Sequence, residues 1–246
     1  MDNLIYYNKN DAKSNKDFDL LEFENDKDRF KMKVERLIER GKINSSNKIG
    51  NTLLNYLIYN NKEERSIELI DKMEIESINK VNKNGETALI LACENKMETV
   101  ALKLLEIENI NINQAGGEYN DTALLNACKE KMDLVALKLL EREDININHV
   151  DDNRKTALIY AIDNEMETVS LKLLERENIN VNYIDSDETT ALMYAILNDM
   201  EMVALKLLER KDIDYTYSIV GETALTWAYR CKMENVINRI NELNKK

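Results

Sequence analysis

Residues 84–105 read NGETALILACENKMETVALKLL, and this stretch decides the fold. Its apolar residues recur at helical spacing in two separate sets, which are Leu89, Ala92 and Cys93, then Val100, Leu104 and Leu105. Apolar residues three and four positions apart form one face of an amphipathic helix. The stretch therefore predicts two short antiparallel helices, each with one buried face.

The same unit recurs along the chain. Its Thr-Ala-Leu triplet begins at five places, which are Thr87, Thr122, Thr156, Thr190 and Thr223. The successive steps are 35, 34, 34 and 33 residues, and a weaker copy begins at Thr52. A fixed period of this length is typical of solenoids, in which each unit buries its apolar faces against its neighbours.

Turn residues agree with this arrangement. Each Thr is predicted to be an N-cap, since its hydroxyl can accept a bond from the first turn of the helix. The residue two before it should adopt positive φ, which suits glycine, is tolerated by asparagine and fits the remaining two units poorly. These residues are Gly50, Gly85, Asn120, Arg154, Glu188 and Gly221. After each second helix an Asn-Ile-Asn segment predicts an extended finger, whose first residue (Asn109, Asp144 or Asn178) is expected as a left-handed C-cap.

These motifs resemble the ankyrin-repeat family. The match rests on Gly85-Glu86-Thr87-Ala88-Leu89, on the later Val-x-x-x-Leu-Leu block and on the finger, and it covers roughly Gly50 to Asn238. The resemblance implies an all-α ankyrin-repeat solenoid of five or six repeats plus caps. Two family residues are missing, because Ala replaces the Pro after Thr and no His follows. A tetratricopeptide array has units of similar length but lacks the finger and the Gly-x-Thr turn.

The ends of the chain predict its organisation. Residues 1–17 are polar and without period, which predicts a flexible tail. The ankyrin-repeat domain is expected over 18–246, with an N-cap at about 18–49, repeats at about 50–221, and the last repeat and C-cap at 222–246. Val34, Leu37 and Ile38 suggest a capping helix that ends at Gly41. Polar terminal repeats keep a solenoid soluble.

Composition excludes several classes of protein. With 34 Lys+Arg and 46 Asp+Glu, the net charge of −12 argues against nucleic-acid binding and anionic membranes. No apolar run is long enough to span a bilayer, and no signal peptide is visible. Three cysteines without such a signal suggest the cytoplasm, the host cytoplasm if the protein is viral, with the nucleus left open.

The source is suggested by composition alone. The chain is rich in Asn, Ile and Lys and has no Pro, as expected of an AT-rich genome. In this it is similar to the ankyrin-repeat proteins of giant viruses that infect amoebae. Protozoa and AT-rich bacteria are the alternatives.

No catalytic constellation is found. His149 is the only histidine, so no metal or hydrolytic cluster of His, Cys and carboxylates can be assembled. Cys93 and Cys128 occupy equivalent places and are expected to be buried packing residues, whereas Cys231 is expected at the surface. No phosphate-binding loop is present. The sequence therefore predicts a protein that is not an enzyme and needs no cofactor or metal.

The resemblance implies that a partner protein lies against the concave face made by finger tips and first helices. Counting positions from each Thr assigns thirteen candidate residues to this face. They are Glu86, Glu94, Tyr119, Asp121, Lys129, Asp152, Lys155, Asp163, Asp187, Leu197, Val220, Glu222 and Arg230. Acids outnumber bases here, which favours a partner with a basic patch. Tyr119, Leu197 and Val220 are the predicted energetic anchors. A merely solvated acidic face is the alternative.

The function expected is a non-catalytic scaffold or adaptor for protein–protein interaction, monomeric when alone and, if viral, acting on a host target. A structural protein that associates with itself is one alternative. A substrate adaptor of a ubiquitin ligase is the other.

Overall fold

A computed structural model describes residues 27–245. The tail predicted at 1–17 and the first part of the predicted N-cap lie outside these residues. The chain divides into two compact units, Met1–Asn111 (unit 1, described from residue 27) and Ile112–Lys246 (unit 2, described to residue 245). Both units are built from pairs of short helices, and each pair contributes a first helix, which follows a capping Thr, and a second helix.

The described part of unit 1, from residue 27 onward, contains six helices. They are α1 (Lys27–Glu39), α2 (Leu53–Tyr59), α3 (Glu63–Ile70), α4 (Ile75–Ile78), α5 (Ala88–Glu94) and α6 (Glu98–Leu105). Within each pair α2 packs against α3 and α5 against α6, while α2 also packs against α5 and α3 against α6. First helices thus stack on first helices and second helices on second helices, as the repeat predicts.

The first helix, α1, ends where the sequence predicts, because Gly41 adopts a left-handed conformation with a φ of +62° just beyond it. Its buried residues are Phe30, Val34 and Leu37, whereas Ile38 is exposed. The expected stripe is wrong at Ile38, since the face that α1 buries is the one that carries residues 30, 34 and 37.

Residues 112–245 of unit 2 contain eight helices and two short hairpins. They are β1 (Ala115–Gly116), β2 (Asp121–Thr122), α7 (Ala123–Lys129), α8 (Asp133–Leu140), α9 (Ala157–Asp163), α10 (Glu167–Leu174), α11 (Ala191–Leu197), α12 (Glu201–Leu208), β3 (Ser218–Ile219), β4 (Glu222–Thr223), α13 (Ala224–Cys231) and α14 (Glu234–Leu243). β1 pairs antiparallel with β2, and β3 with β4. The first helices α7, α9, α11 and α13 pack in order, as do the second helices α8, α10, α12 and α14.

Threonine caps every first helix that it was predicted to cap. In each case the hydroxyl accepts a hydrogen bond from the backbone N–H three residues on, for example from Ile90 to Thr87. The same arrangement holds at Thr52, Thr122, Thr156, Thr190 and Thr223. The triplet therefore recurs because its Thr satisfies one of the free backbone donors that begin a helix.

Positive φ occurs two residues before Thr in all six units, including the two where it was not expected. Arg154 and Glu188 have φ of 58° and 59°, as Asn120 does. The carboxylate of Asp151 accepts bonds from the backbone N–H of Asn153 and Lys155, on either side of Arg154. These bonds stabilise the left-handed turn at a residue type that disfavours positive φ.

The predicted left-handed C-cap at the start of the finger is wrong. The second helices end at Glu106, Glu141, Glu175 and Glu209, all with right-handed helical backbone. Left-handed residues instead separate the first helix from the second, at Lys96, Lys131, Glu165 and Asp199. The tight reversal is therefore needed between the two helices of a repeat and not between repeats.

Asparagines of the fingers connect one repeat to the next. In unit 2 the amide of Asn148 donates to the carbonyl of Asn178 at 2.8 Å and accepts from the N–H of Asn180 at 2.9 Å. Asn182 makes the same pair of bonds to Asp212 and Asp214. Because one side chain both donates and accepts, neighbouring fingers are held in register, a role the sequence pattern did not reveal.

Candidate protein-binding surface

Glu86, the candidate from unit 1 with the strongest contacts, is buried. Its carboxylate accepts hydrogen bonds from the Tyr59 hydroxyl at 2.6 Å and from the Asn82 amide at 2.7 Å. Burial, followed by this bond and the charge of Glu86, raises the pKa of Tyr59 far above its usual range. Glu86 thus holds adjacent repeats together, and Glu94 in the same repeat is half-buried.

In unit 2 three repeats pair the residue before Thr with the residue seven after it. Asp121 meets Lys129 at 3.1 Å, Lys155 meets Asp163 at 3.0 Å and Glu222 meets Arg230 at 2.7 Å. Six of the thirteen candidate residues are therefore ion-paired within their own repeat. Each pair cancels one acid against one base, so the acidic excess counted from the sequence is carried by the candidate residues outside these three pairs.

Two lysines of these pairs lie between tyrosine rings. The ammonium of Lys129 lies 4.5 Å from the Tyr119 ring centroid and 5.7 Å from that of Tyr160. The same Tyr160 ring centroid lies 5.6 Å from the ammonium of Lys155, which is also 5.0 Å from the centroid of the Tyr194 ring. Cation–π attraction and ion pairing act on the same groups. We call the surface made by these side chains, by the finger turns before Thr122, Thr156, Thr190 and Thr223, and by the residue seven after each of these Thr (Lys129, Asp163, Leu197 and Arg230) the finger face.

Two buried carboxylates beneath the finger face were missed by sequence reasoning. Asp151 accepts from the Tyr160 hydroxyl at 2.6 Å, and Asp185 from the Tyr194 hydroxyl at 2.8 Å. Burial and the bond to Asp185 raise the pKa of Tyr194 to about 12. Both aspartates stand five residues before Thr, so the register itself was the signal that could have found them.

Asp121 is a strained member of the finger face. Its Oδ2 binds Lys129, but its buried Oδ1 accepts no hydrogen bond from any residue in 27–245. Burial raises the pKa of this carboxyl above its ordinary value of 3.8, opposed by Lys129 and His149 and reinforced by the charge of Asp151. The ionised form is therefore held at a cost to stability.

This predicts a pH-dependent difference between the wild type and Asp121→Asn. A carboxyl whose pKa is raised on folding is stabilising when protonated, so its penalty disappears as pH falls through the raised value towards 3.8. As the pH is lowered from about 7 to about 4, the free energy of unfolding of the wild type should therefore rise relative to that of the variant. Urea titration of both proteins at each pH measures this, and a difference independent of pH would contradict it.

The five remaining candidate residues are exposed. The carboxylates of Asp152 and Asp187 form no ion pair within residues 27–245. Leu197 is 51% exposed and Val220 is 97% exposed. Tyr119 is also exposed, and its ring lies against the ammonium of Lys129. The exposed part of the finger face is thus apolar at its C-terminal end and acidic along the preceding turns.

Leu197 and Val220 line one groove of 330 Å³ with Ile219 and Trp227, and the Glu222–Arg230 pair and Cys231 complete its wall. The groove lies entirely within unit 2, between helices α11 and α13 and the β3–β4 turn. Four of the candidate residues from the last two repeats, Leu197, Val220, Glu222 and Arg230, therefore meet at one place.

Comparison with known proteins settles the fold. Residues 28–116 match the family model of ankyrin repeats, in three copies. The crystal structure of the ankyrin repeat domain of Bcl-3, a member of the IκB protein family, superposes with a TM-score of 0.62 and 21% identity, covering 87% of this chain and 92% of that one. The chain has the ankyrin-repeat fold. EF0377, an ankyrin repeat protein, matches with a TM-score of 0.58 and 22% identity over 73% of this chain and 92% of its own. No curated protein matches significantly in sequence.

The fold class expected from the sequence is confirmed, and the tetratricopeptide alternative is wrong. Ankyrin repeats generally mediate protein–protein interaction and are non-catalytic. Cys93 and Cys128 are buried and Cys231 is exposed, as predicted, and burial raises the pKa of Cys93 to about 12. Among residues 27–245 no cluster of His, Cys and carboxylates could hold a metal, and no helix there could cross a membrane.

Proposed function

We propose that this chain is a non-catalytic interaction protein that holds a partner protein on the finger face of unit 2. The observation that carries the proposal is the exposed apolar pair Leu197 and Val220 beside the groove. Exposed large apolar residues that cluster in this way mark interaction sites, because an interface draws most of its energy from a few such anchors.

The structure of the finger face also suits a binding role. Lys129 and Lys155 are fixed between rings and carboxylates, so the surface around them needs little ordering when a partner binds. A preorganised surface loses less conformational entropy on association than a mobile one. The exposed acids Asp152 and Asp187 support a partner whose contacting surface is basic.

Affinity capture from a lysate of the natural host, followed by mass spectrometry, tests this proposal. One variant bait carries Tyr119→Ala, Asp187→Lys and Leu197→Asp on the finger face. A matched control bait carries Leu134→Asp and Met202→Asp, which change exposed apolar residues of second helices. We expect a protein that is retained by the wild type and the control and lost by the finger-face bait.

Equal capture by all three baits would contradict the proposal and move binding to another surface. Capture of this chain alone would favour the structural, self-associating alternative. Capture of ubiquitin-ligase subunits would assign the adaptor alternative.

The proposal includes a location and a source, which rest on composition. The reduced cysteines support the cytoplasm, and the Asn-, Ile- and Lys-rich composition without Pro supports a viral protein that acts on a host target. Immunolocalisation in infected amoebae is the corresponding test, with signal in the cytoplasm as the expected result.

A further inference from the structure

We propose that the groove at the end of unit 2 binds an extended segment of the partner that carries one large apolar side chain beside a lysine or arginine. This deepens the proposed function and rests on it. Leu197, Ile219, Val220 and Trp227 supply the apolar lining, and Glu222 and Arg230 supply charge at one side. The groove has room for one large side chain.

Backbone strain singles out the tip of this groove. Val220 and Gly221 have φ of +50° and +81°, so the two residues between β3 and β4 both lie in the left-handed region. Such a turn favours Asn-Gly, and a β-branched residue in this conformation is an outlier. Val220 is the only β-branched residue with positive φ among residues 27–245. An unfavourable residue is thus kept where it exposes an apolar side chain almost completely, which points to a use in binding.

The charges around the groove define the second half of the ligand. Oε1 of Glu222 accepts from Arg230 at 2.7 Å, whereas its Oε2 is buried and accepts no hydrogen bond from any described residue. Asp187, on the preceding finger turn, has an exposed carboxylate without an ion pair in the described part of the chain. A buried acceptor without a donor is costly, so an arriving N–H or ammonium group is favoured there.

Other occupants fit the charges less well. An acidic segment would meet like charge at Glu222 in the groove and at Asp187 on the preceding finger turn. A second copy of this chain would bring its own net charge of −12 to the same acids. A basic and apolar segment is the occupant that both observations favour.

Selection of random phage-displayed peptides on the full chain tests the proposal without knowledge of the partner. We expect the enriched sequences to share a large apolar residue beside Lys or Arg. A synthetic peptide of that sequence is then titrated, with the fluorescence of Trp227, the only tryptophan, as the readout. Val220→Asn should weaken its binding at least tenfold while leaving the melting temperature equal or higher, because Asn suits the turn.

Leu134→Asn is the matched control, since it changes an exposed apolar residue on a second helix and should leave peptide affinity unchanged. Asp187→Lys should lower the affinity for the peptide, and the loss of affinity should be smaller at high salt. A peptide bound equally by Val220→Asn, an acidic or purely polar consensus, or no enrichment would overturn the proposal. So would a mass that rises with concentration and falls again in Val220→Asn, because a second copy would then be the occupant.

The two proposals fail separately. If the finger-face bait loses the lysate partner while Val220→Asn retains it, the proposal that the groove binds the partner is wrong and the proposed function stands. If the finger-face bait loses nothing, the proposed function is wrong, whatever the peptides show.

Discussion

Leu139→Ala is expected to lower the free energy of unfolding by about 2–5 kcal/mol, through lost burial and the cavity that remains. Leu139 lies on α8 and is fully buried. This helix packs against α7 of its own repeat and α10 of the next, so relaxation on one side is resisted by the other.

Leu134→Ala provides a control on the same helix. Leu134 is 58% exposed, so its truncation should change the free energy of unfolding by no more than about 0.5 kcal/mol. Urea titration followed by far-UV circular dichroism measures both variants. Equal effects of the two substitutions would show that the apolar stripe of the second helix is placed on the wrong face.

Asp185→Ala is expected to cost about 3 kcal/mol of unfolding free energy, because hydrogen bonds to a charged group are strong and their donors would be left buried. The Asp185 carboxylate accepts from the N–H groups of Asp187 and Thr189 and from the Tyr194 hydroxyl, at 3.0, 2.9 and 2.8 Å. Lys155 lies 3.9 Å away. Alanine would leave the turn without its central acceptor.

Asp185→Asn is the conservative control. Asn82 supports the equivalent turn in unit 1, where its Oδ1 accepts from the N–H groups of Asn84 and Glu86. The Asn variant should therefore cost no more than about 1 kcal/mol, the worth of one ordinary hydrogen bond. If Asn and Ala destabilise equally, the turn hydrogen bonds do not explain the burial of Asp185.

The helices and their caps could be predicted because they depend on local spacing. The period of the Thr-Ala-Leu triplet and the apolar residues around Thr87 fix each helix, and a Thr hydroxyl needs only the residue three positions on. The left-handed C-cap failed for the same local reason. Asn109 and Asp144 look like cap residues, but they lie beyond a helix that ends without a left-handed turn.

The ion pairs of the finger face were missed because they join residues eight apart across a turn and a helix, beyond the spacing of three or four at which pairs on one helix are recognised. Opposite charge before Thr and seven after it was visible in three units, but counting acids and bases separately hid the pairing. The strain at Val220 was also invisible, because it depends on the two-residue length of the β3–β4 turn.

The most direct measurement of the central claim is amide hydrogen exchange of the chain alone and in complex with the partner retained in the capture experiment. Binding on the finger face predicts slower exchange in the turns around Asp152, Asp187 and Val220 and in helices α11 and α13. Second helices such as α10 and α12 should be unchanged. Slower exchange confined to the second helices or to unit 1 would contradict the account.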